Sequence, residues 1–147
     1  MALATDTPRE TASRQVEAVI LTNAVVCYAG SFMGVDMSTG RAVLWADTAN
    51  YVWKGLAERG ATGNTSASPP VEVEMDVSGQ VLKRIAVTGV SAQSHVGDLV
   101  YGTDDGTLTL TATSNVGPIG EIVRWHTSTT SDVRLFTPQE YRAWLGV

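Results

Sequence analysis

The chain has 147 residues, of which 44% are hydrophobic and 17% charged, a composition that predicts one globular domain needing neither a disulfide nor a metal to fold. Its net charge is -5 and its ten Lys and Arg residues are dispersed, so we expect neither nucleic acid nor an anionic membrane surface as a partner. No stretch approaches the roughly 18 to 20 consecutive apolar residues of a membrane span, and the N-terminus resembles no signal peptide, which predicts a protein made in the cytoplasm.

The N-terminal third begins with a polar segment and then becomes apolar. Residues 1–15 show no helix or strand period, and we interpret them as an extended arm, although a frayed terminus without a role fits equally well. From Val16 onward, β-branched residues predict one or two strands with a bend near Thr22. The single cysteine, Cys27, lies in the apolar run VVCYAG, which predicts a buried, unreactive thiol and a reducing compartment.

Two further strand signals follow. The runs FMGV and AVLWA flank turn residues at 36–40, which is a hairpin signature, and YVWKGLA at 51–57 is a candidate strand. We expect Trp45 and Trp53 to lie in the core rather than at an interface, because large aromatic side chains contribute most when buried.

A segment of small and polar residues, ERGATGNTSASPP at 58–70, predicts a flexible loop that is either functional or disordered. The alternation in VEVEM at 71–75 predicts a strand with one wet face. Pairing of VEVEM with VLKRIAV across a short Ser-Gly turn is expected to place Glu72 and Glu74 near Lys83 and Arg84.

Residues 96–136 contain four short apolar or alternating runs separated by turn residues, which predicts consecutive antiparallel strands. Thr137 and Glu140 form a potential capping box around Pro138, so a short amphipathic helix is predicted over 138–145. Packing of this helix on its own domain is favoured over packing on a neighbouring molecule.

No catalytic, cofactor-binding or metal-binding residue is predicted. His95 and His126 lack a second histidine at metal-ligand spacing, and both are interpreted as surface or strand-edge residues. A Ser-His-Asp triad using His126 and Asp132 can be written, but no G-x-S-x-G motif accompanies it. Neither a dinucleotide fingerprint nor a phosphate-binding loop is present, so we expect no enzyme.

Several short motifs lie between residues 16 and 136, which is roughly three quarters of the chain. They are VVCYAG followed by FMGVD, VTGV at 87–90, GDLVY at 97–101, DDGTLTLT at 104–111, IGEIV at 119–123 and DVRLF at 132–136. Together these motifs resemble the capsid decoration, or cement, proteins of tailed bacteriophages. Residues 45–70 and the TPQEYRAWLGV tail depart from the simplest pattern of such proteins.

The resemblance implies a mainly β protein with a single small β-barrel or β-tulip-like domain of antiparallel strands. It also implies a homo-oligomer, with a trimer favoured, on the exterior of the virion, where it binds the major capsid protein and bridges adjacent shell subunits without a cofactor. The arm and the 58–70 loop are the segments expected to contact the shell. The candidate contact residues are Ala2, Leu3, Thr5, Thr7, Pro8, Arg9, Arg59, Asn64, Ser66 and Pro69.

Two other classes of function remain open at this stage. A small phage tail or head-completion protein would share the β-rich composition, and self-assembly into rings without affinity for heads would favour it. A hydrolase or a sugar-binding module is a weaker alternative. Support for it would require that mutation of His126 abolish an activity.

Overall fold

A computed structural model of the chain describes residues 15–146, in which twelve strands precede a C-terminal helix. The strands of the first half are β1 Val16–Ile20, β2 Val26–Cys27, β3 Phe32–Asp36, β4 Arg41–Leu44, β5 Tyr51–Ala57, β6 Ala61–Thr62 and β7 Glu72–Asp76. Those of the second half are β8 Val81–Thr88, β9 Leu99–Gly102, β10 Leu108–Thr109, β11 Gly120–Trp125 and β12 Thr130–Leu135, followed by helix α1, Pro138–Leu145. The prediction of a mainly β fold with a short C-terminal helix is confirmed.

The first half forms an antiparallel five-stranded sheet with the order β1-β7-β5-β3-β4. An isolated bridge between Leu21 and Ala42 joins the end of β1 to β4, so the sheet curls until its two edge strands meet at one end. Among the strands that the structure describes, β2 and β6 pair only with each other, in a short ribbon beside this sheet. The predicted hairpin around residues 36–40 is confirmed as β3 and β4.

The second half closes into a barrel with the strand order β10-β8-β12-β11-β9. Its hairpins β9–β10 and β11–β12 follow the turn signals of the sequence. The barrel closes through β8 and β10, which pair in parallel over Leu108↔Val87 and Thr109↔Thr88. This is one departure from the antiparallel pairing that the turn signals predict.

The predicted hairpin between VEVEM and VLKRIAV is wrong. Strand β7 pairs with β1 and β5, whereas β8 pairs with β12 and β10. The side chain of Asp76 accepts hydrogen bonds from the Ser78 backbone N–H at 3.0 Å and from Gln80 Nε2 at 2.8 Å, and Gly79 has φ +77°. This local network turns the chain from the sheet into the barrel instead of back along β7.

Two indoles connect the sheet with the barrel. Trp45 and Trp53 are 1% and 0% exposed, which confirms the prediction that they belong to the core, and their rings meet edge to face at 5.5 Å. Trp45 Nε1 donates to the Gly102 oxygen at 3.1 Å, and Trp53 Nε1 donates to the Phe136 oxygen at 2.7 Å. A second cluster, which includes Leu21, Met33 and Met75, lies within the first half.

Helix α1 begins with the predicted capping box. The Glu140 N–H donates to Thr137 Oγ1 at 3.2 Å, and the Thr137 N–H donates to Glu140 Oε1 at 3.0 Å. Tyr141 is 1% exposed, its ring lies 5.8 Å from that of Trp45, and its hydroxyl accepts a hydrogen bond from the Gly117 N–H. The helix therefore packs on its own domain, as predicted.

Candidate interaction surfaces

Four of the ten candidate contact residues lie on one surface, which we call the ribbon surface and define as residues 23–28 and 58–70. Arg59, Asn64, Ser66 and Pro69 are all exposed there. The other candidates, Ala2, Leu3, Thr5, Thr7, Pro8 and Arg9, lie outside the described residues.

Backbone pairing builds the ribbon surface. Val26 pairs with Thr62 and Cys27 with Ala61, and the Gly63 N–H donates to the Val25 oxygen at 2.8 Å. A Cβ atom at Gly63 would lie 1.9 Å from the Thr22 oxygen, so only glycine allows this close approach of the two segments. Residues 58–70 thus contain the short strand β6, and their flexibility stays a prediction.

Local hydrogen bonds shape the outer part of the ribbon surface. Asn64 Oδ1 accepts from the Ser66 N–H at 3.1 Å, and Asn23 Oδ1 accepts from the Thr65 N–H at 3.4 Å. The backbone oxygen of Asn64 accepts from the Val71 N–H at 3.3 Å, which closes the loop just before β7. The exposed side chains therefore project from a loop whose backbone is held at both ends.

Sequence reasoning missed two residues of this surface, Val26 and Tyr28, which are 43% and 69% exposed. The signal that could have found them is the alternation around Cys27, which is 1% exposed, because a two-residue period places its neighbours on the opposite face. The Tyr28 N–H donates to Ser31 Oγ at 3.1 Å, and Ser31 Oγ donates to Asp105 Oδ2 at 3.3 Å. The backbone under the phenol ring is therefore tied to the barrel.

Arg59 supplies a positive charge on the ribbon surface. Its Nη2 lies 3.3 Å from Glu74 Oε1, and the two side chains are 73% and 46% exposed. An ion pair this exposed contributes only about 0 to 1 kcal/mol to stability. The guanidinium can therefore exchange its partner for one on another molecule at little cost.

A second exposed feature lies on helix α1. Trp144 is 56% exposed, and its ring stacks parallel to that of the buried Phe136 with centroids 6.2 Å apart. The side chains of Glu140, Ala143 and Trp144 line a surface pocket of about 350 Å³, which we call the helix pocket.

An ion-pair network lies next to the helix pocket. Arg134 Nη1 donates to Glu140 Oε2 at 2.9 Å, and Arg134 Nη2 donates to Glu121 Oε1 at 3.0 Å. Burial alone would lower the pKa of Arg134, but its hydrogen bonds and charge interactions with the two glutamates raise it. Burial would likewise raise the pKa of Glu140, but the Thr137 N–H and Arg134 lower it. Arg134 and Glu140 therefore carry their charges at neutral pH.

His126 and Asp132, the pair considered as part of a triad, do come together. His126 Nε2 lies 2.7 Å from Asp132 Oδ1, and the two side chains are 9% and 4% exposed. The Arg84 N–H also donates to Asp132 Oδ1 at 2.9 Å, and this hydrogen bond, with His126 and Lys83, lowers the pKa of Asp132 to about 2. The hydroxyl of the neighbouring Ser131 is buried without a hydrogen-bond partner among residues 15–146.

The position of Asp132 favours a structural role for this pair. The register between β8 and β12 shifts between Ser131 and Val133, which leaves Asp132 out of the ladder of hydrogen bonds with β8. Its carboxylate accepts the N–H of Arg84, a residue with φ +51° at the same irregularity. The aspartate thus satisfies a backbone donor that the strand pairing leaves without a partner.

The other histidine takes part in a Ser-His-Asp arrangement that sequence reasoning missed. Ser91 Oγ lies 3.3 Å from His95 Nε2, and His95 Nδ1 lies 2.9 Å from Asp98 Oδ2. The three residues surround a single 3-10 turn, Gln93–His95, in a loop where Ser91 and Asp98 are exposed. Catalytic serines work in concave sites that exclude water, so the distances alone do not make this a catalytic centre.

The described part of the chain holds no group of three or more His, Cys, Asp or Glu residues arranged to bind a metal ion. Within the same residues, no helix has the length and hydropathy needed to cross a membrane.

Comparison of the chain with protein-family models, curated proteins and solved structures finds no match.

Proposed function

We propose that this protein is a structural virion protein that binds the exterior of an icosahedral bacteriophage head. It would contact the major capsid protein, bridge adjacent shell subunits and act as a homo-oligomer, with a trimer favoured, and it would catalyse no reaction. The observation that carries the proposal is the ribbon surface, where four predicted contact residues lie on the same paired segments as the exposed Tyr28.

The chemistry of the ribbon surface suits protein recognition. Tyrosine and arginine are over-represented among the residues that dominate binding energy at protein interfaces. Tyr28 offers a large ring on a backbone tied to the barrel, and Arg59 offers a guanidinium that forms an exposed ion pair with Glu74. Because a hydrogen bond already holds the backbone at Tyr28, ordering this residue on binding costs mainly the rotamer freedom of its side chain.

Stabilisation of a head needs no chemistry. A protein that binds only the assembled shell stabilises it by mass action, and many copies that each hold two subunits add their effects. The arm, residues 1–15, is the other expected contact, and its first fourteen residues lie outside the described part of the chain. The chain enters the described domain at Gln15, whose backbone oxygen accepts from the Val77 N–H at 2.9 Å.

The test mixes the purified protein with mature and immature heads of the phage that encodes it, followed by co-sedimentation and imaging. We expect discrete exterior knobs on mature heads only. Tyr28→Ala should weaken binding at least roughly tenfold, as truncation of an interface anchor does. Met37→Ala is the matched control, because Met37 is 58% exposed but lies in the β3–β4 turn outside the ribbon surface.

Deletion of residues 1–14 tests the arm separately and keeps the backbone hydrogen bond from the Val77 N–H to the Gln15 oxygen. We expect weaker binding to heads with an unchanged circular dichroism spectrum. Failure of the wild-type chain to bind either kind of head overturns the proposal. Rings of the protein without affinity for heads would instead assign it to the tail or to head completion.

A further inference from the structure

The helix pocket presents an aromatic face without a partner on its outer side among the described residues. Glu140, Ala143 and Trp144 are spaced three and four residues apart, so they share one face of α1. Behind them, the Arg134 guanidinium lies 5.5 Å from the centre of the Phe136 ring, and the Phe136 ring stacks on Trp144. The Phe136 ring thus contacts both a guanidinium and the Trp144 indole, and Trp144 is the exposed member of the aromatic pair.

Next to the helix pocket, the side chains around Arg134 carry more negative than positive charge. Arg134 is hydrogen-bonded to both Glu121 and Glu140, so one positive charge is shared between two carboxylates. The formal charges of these three side chains sum to -1. Glu121 and Glu140 are 32% and 38% exposed, so part of this negative charge reaches the surface beside the indole.

A flat cation is the group that both features favour. The face of an indole attracts cations, and guanidinium stacks on it better than ammonium does, while its fork of N–H groups matches a carboxylate. The methyl group of Ala143 provides an apolar wall for the aliphatic part of such a side chain. A pocket of about 350 Å³ has room for an arginine side chain and some of its backbone.

We propose that the helix pocket binds an arginine side chain presented by a basic segment of a partner protein. The chain's own net charge of -5 favours a basic partner over an acidic one. This surface is separate from the ribbon surface, and the proposal does not depend on binding to heads. A protein with both surfaces has two independent points of attachment.

The test follows the indole and amide signals of the full-length, nitrogen-15-labelled chain by NMR while a short peptide is added. The probe is an acetylated and amidated Gly-Arg-Gly-Arg-Gly peptide, and its controls replace arginine with citrulline, which is neutral and nearly the same shape, or with lysine. We expect saturable shifts of the Trp144 indole and the Ala143 amide with the arginine peptide. The lysine peptide should bind more weakly, and the citrulline peptide should cause no saturable shift.

Two variants test separately how the Trp144 indole and the negative charge contribute to peptide binding. Trp144→Ala should abolish the shift of the Ala143 amide. Glu121→Gln removes the excess negative charge without altering the residues that line the pocket, and should weaken binding roughly two- to fivefold. Met37→Ala should bind as the wild-type chain does, because Met37 lies in the β3–β4 turn.

Equal shifts with the citrulline and arginine peptides would overturn the proposal, as would the absence of a saturable shift. If Trp144→Ala instead lowers the oligomeric mass of the protein and the arginine peptide has no effect, the occupant is a second copy of this chain and the proposal is wrong. Each of these results is independent of whether Tyr28→Ala affects binding to heads.

Discussion

The indole N–H of Trp53 donates a 2.7 Å hydrogen bond to the main-chain oxygen of Phe136, which ties strand β5 to the residue that follows strand β12. Trp53 is 0% exposed, so the hydrogen bond is shielded from water. Its ring also meets Phe32 at 6.1 Å and Trp45 at 5.5 Å, both edge to face. One side chain thus combines a buried polar bond with the aromatic packing between sheet and barrel.

Replacement of Trp53 by Phe should be strongly destabilising. The smaller ring leaves a cavity, and the Phe136 oxygen loses its donor, so we expect the free energy of unfolding to fall by about 2 to 3 kcal/mol. Urea unfolding followed by circular dichroism measures this change. Trp144→Phe is the matched control and should change stability by less than about 0.5 kcal/mol, because Trp144 is largely exposed. Equal effects of the two substitutions would contradict this account of the core.

Gly79 and Gly40 have nearly equal φ angles, +77° and +72°, but different surroundings. A Cβ atom at Gly79 would lie 3.1 Å from the Leu135 oxygen and 3.2 Å from Thr137 Cγ2, whereas at Gly40 it would meet nothing within 4 Å. Both alanine variants should lose about 1 to 2 kcal/mol from left-handed strain.

The crowding at residue 79 should add to that loss. We therefore expect Gly79→Ala to unfold at lower urea concentration than Gly40→Ala, with equal slopes of free energy against urea. The opposite order would show that the connector between β7 and β8 relaxes more easily than the structure indicates.

Asp132 should make the free energy of unfolding depend on pH in the acidic range. The Arg84 N–H, His126 and Lys83 hold the pKa of this carboxyl at about 2 in the folded chain, below the value of about 4 expected when the chain is unfolded. A lowered folded pKa stabilises the protein above the unfolded pKa, and this contribution disappears as the pH falls from about 5 to about 2. Urea unfolding of the wild type and Asp132→Asn across this range measures it.

We expect the wild type to be the more stable protein at pH 7 and its advantage to shrink steadily toward pH 2. Parallel stability curves for the two proteins would contradict the assignment of this pH dependence to Asp132. The asparagine can still accept the Arg84 N–H, so the variant is expected to fold.

Ser91 should not behave as a catalytic nucleophile. Its hydroxyl is exposed in the loop around the 3-10 turn, although it lies 3.3 Å from His95 Nε2. We expect a fluorophosphonate probe to add no mass to the intact protein under conditions that label a serine hydrolase fully. Stoichiometric labelling that is lost in both Ser91→Ala and His95→Ala would contradict the prediction and revive the hydrolase alternative.

Local chemistry accounts for the parts of the fold that the sequence predicted. The turn between β9 and β10 is set by neighbours, because Asp104 Oδ1 accepts the Gly106 N–H at 2.8 Å. The capping box of Thr137 and Glu140 is likewise a contact between residues three positions apart. Interactions of this kind depend on a few adjacent residues, so their patterns can be read directly from the chain.

The features that were predicted wrongly or missed depend on contacts between residues far apart in sequence. Alternation in VEVEM predicts which face is buried, but not which strand is the partner, and the partner of β7 is β1, far away in sequence. The parallel pairing of β8 with β10 has no local signal either. The helix pocket depends on Arg134 of strand β12, whose guanidinium reaches Glu140 of the helix. The exposure of Tyr28 could have been predicted from the alternation around Cys27. The pairing of the preceding strand, β2, with β6 could not have been predicted.

The order of the strands along the chain also has a consequence for synthesis. Within residues 15–146, every strand pair joins two strands on the same side of residues 77–80, so the first half can complete its own pairing before the second exists. Trp45 and Trp53, however, find hydrogen-bond acceptors only at Gly102 and Phe136. The sheet of a nascent chain can therefore pair while both indoles still lack their acceptors, since that of Trp45 exists only after Gly102 has been translated and that of Trp53 only after Phe136.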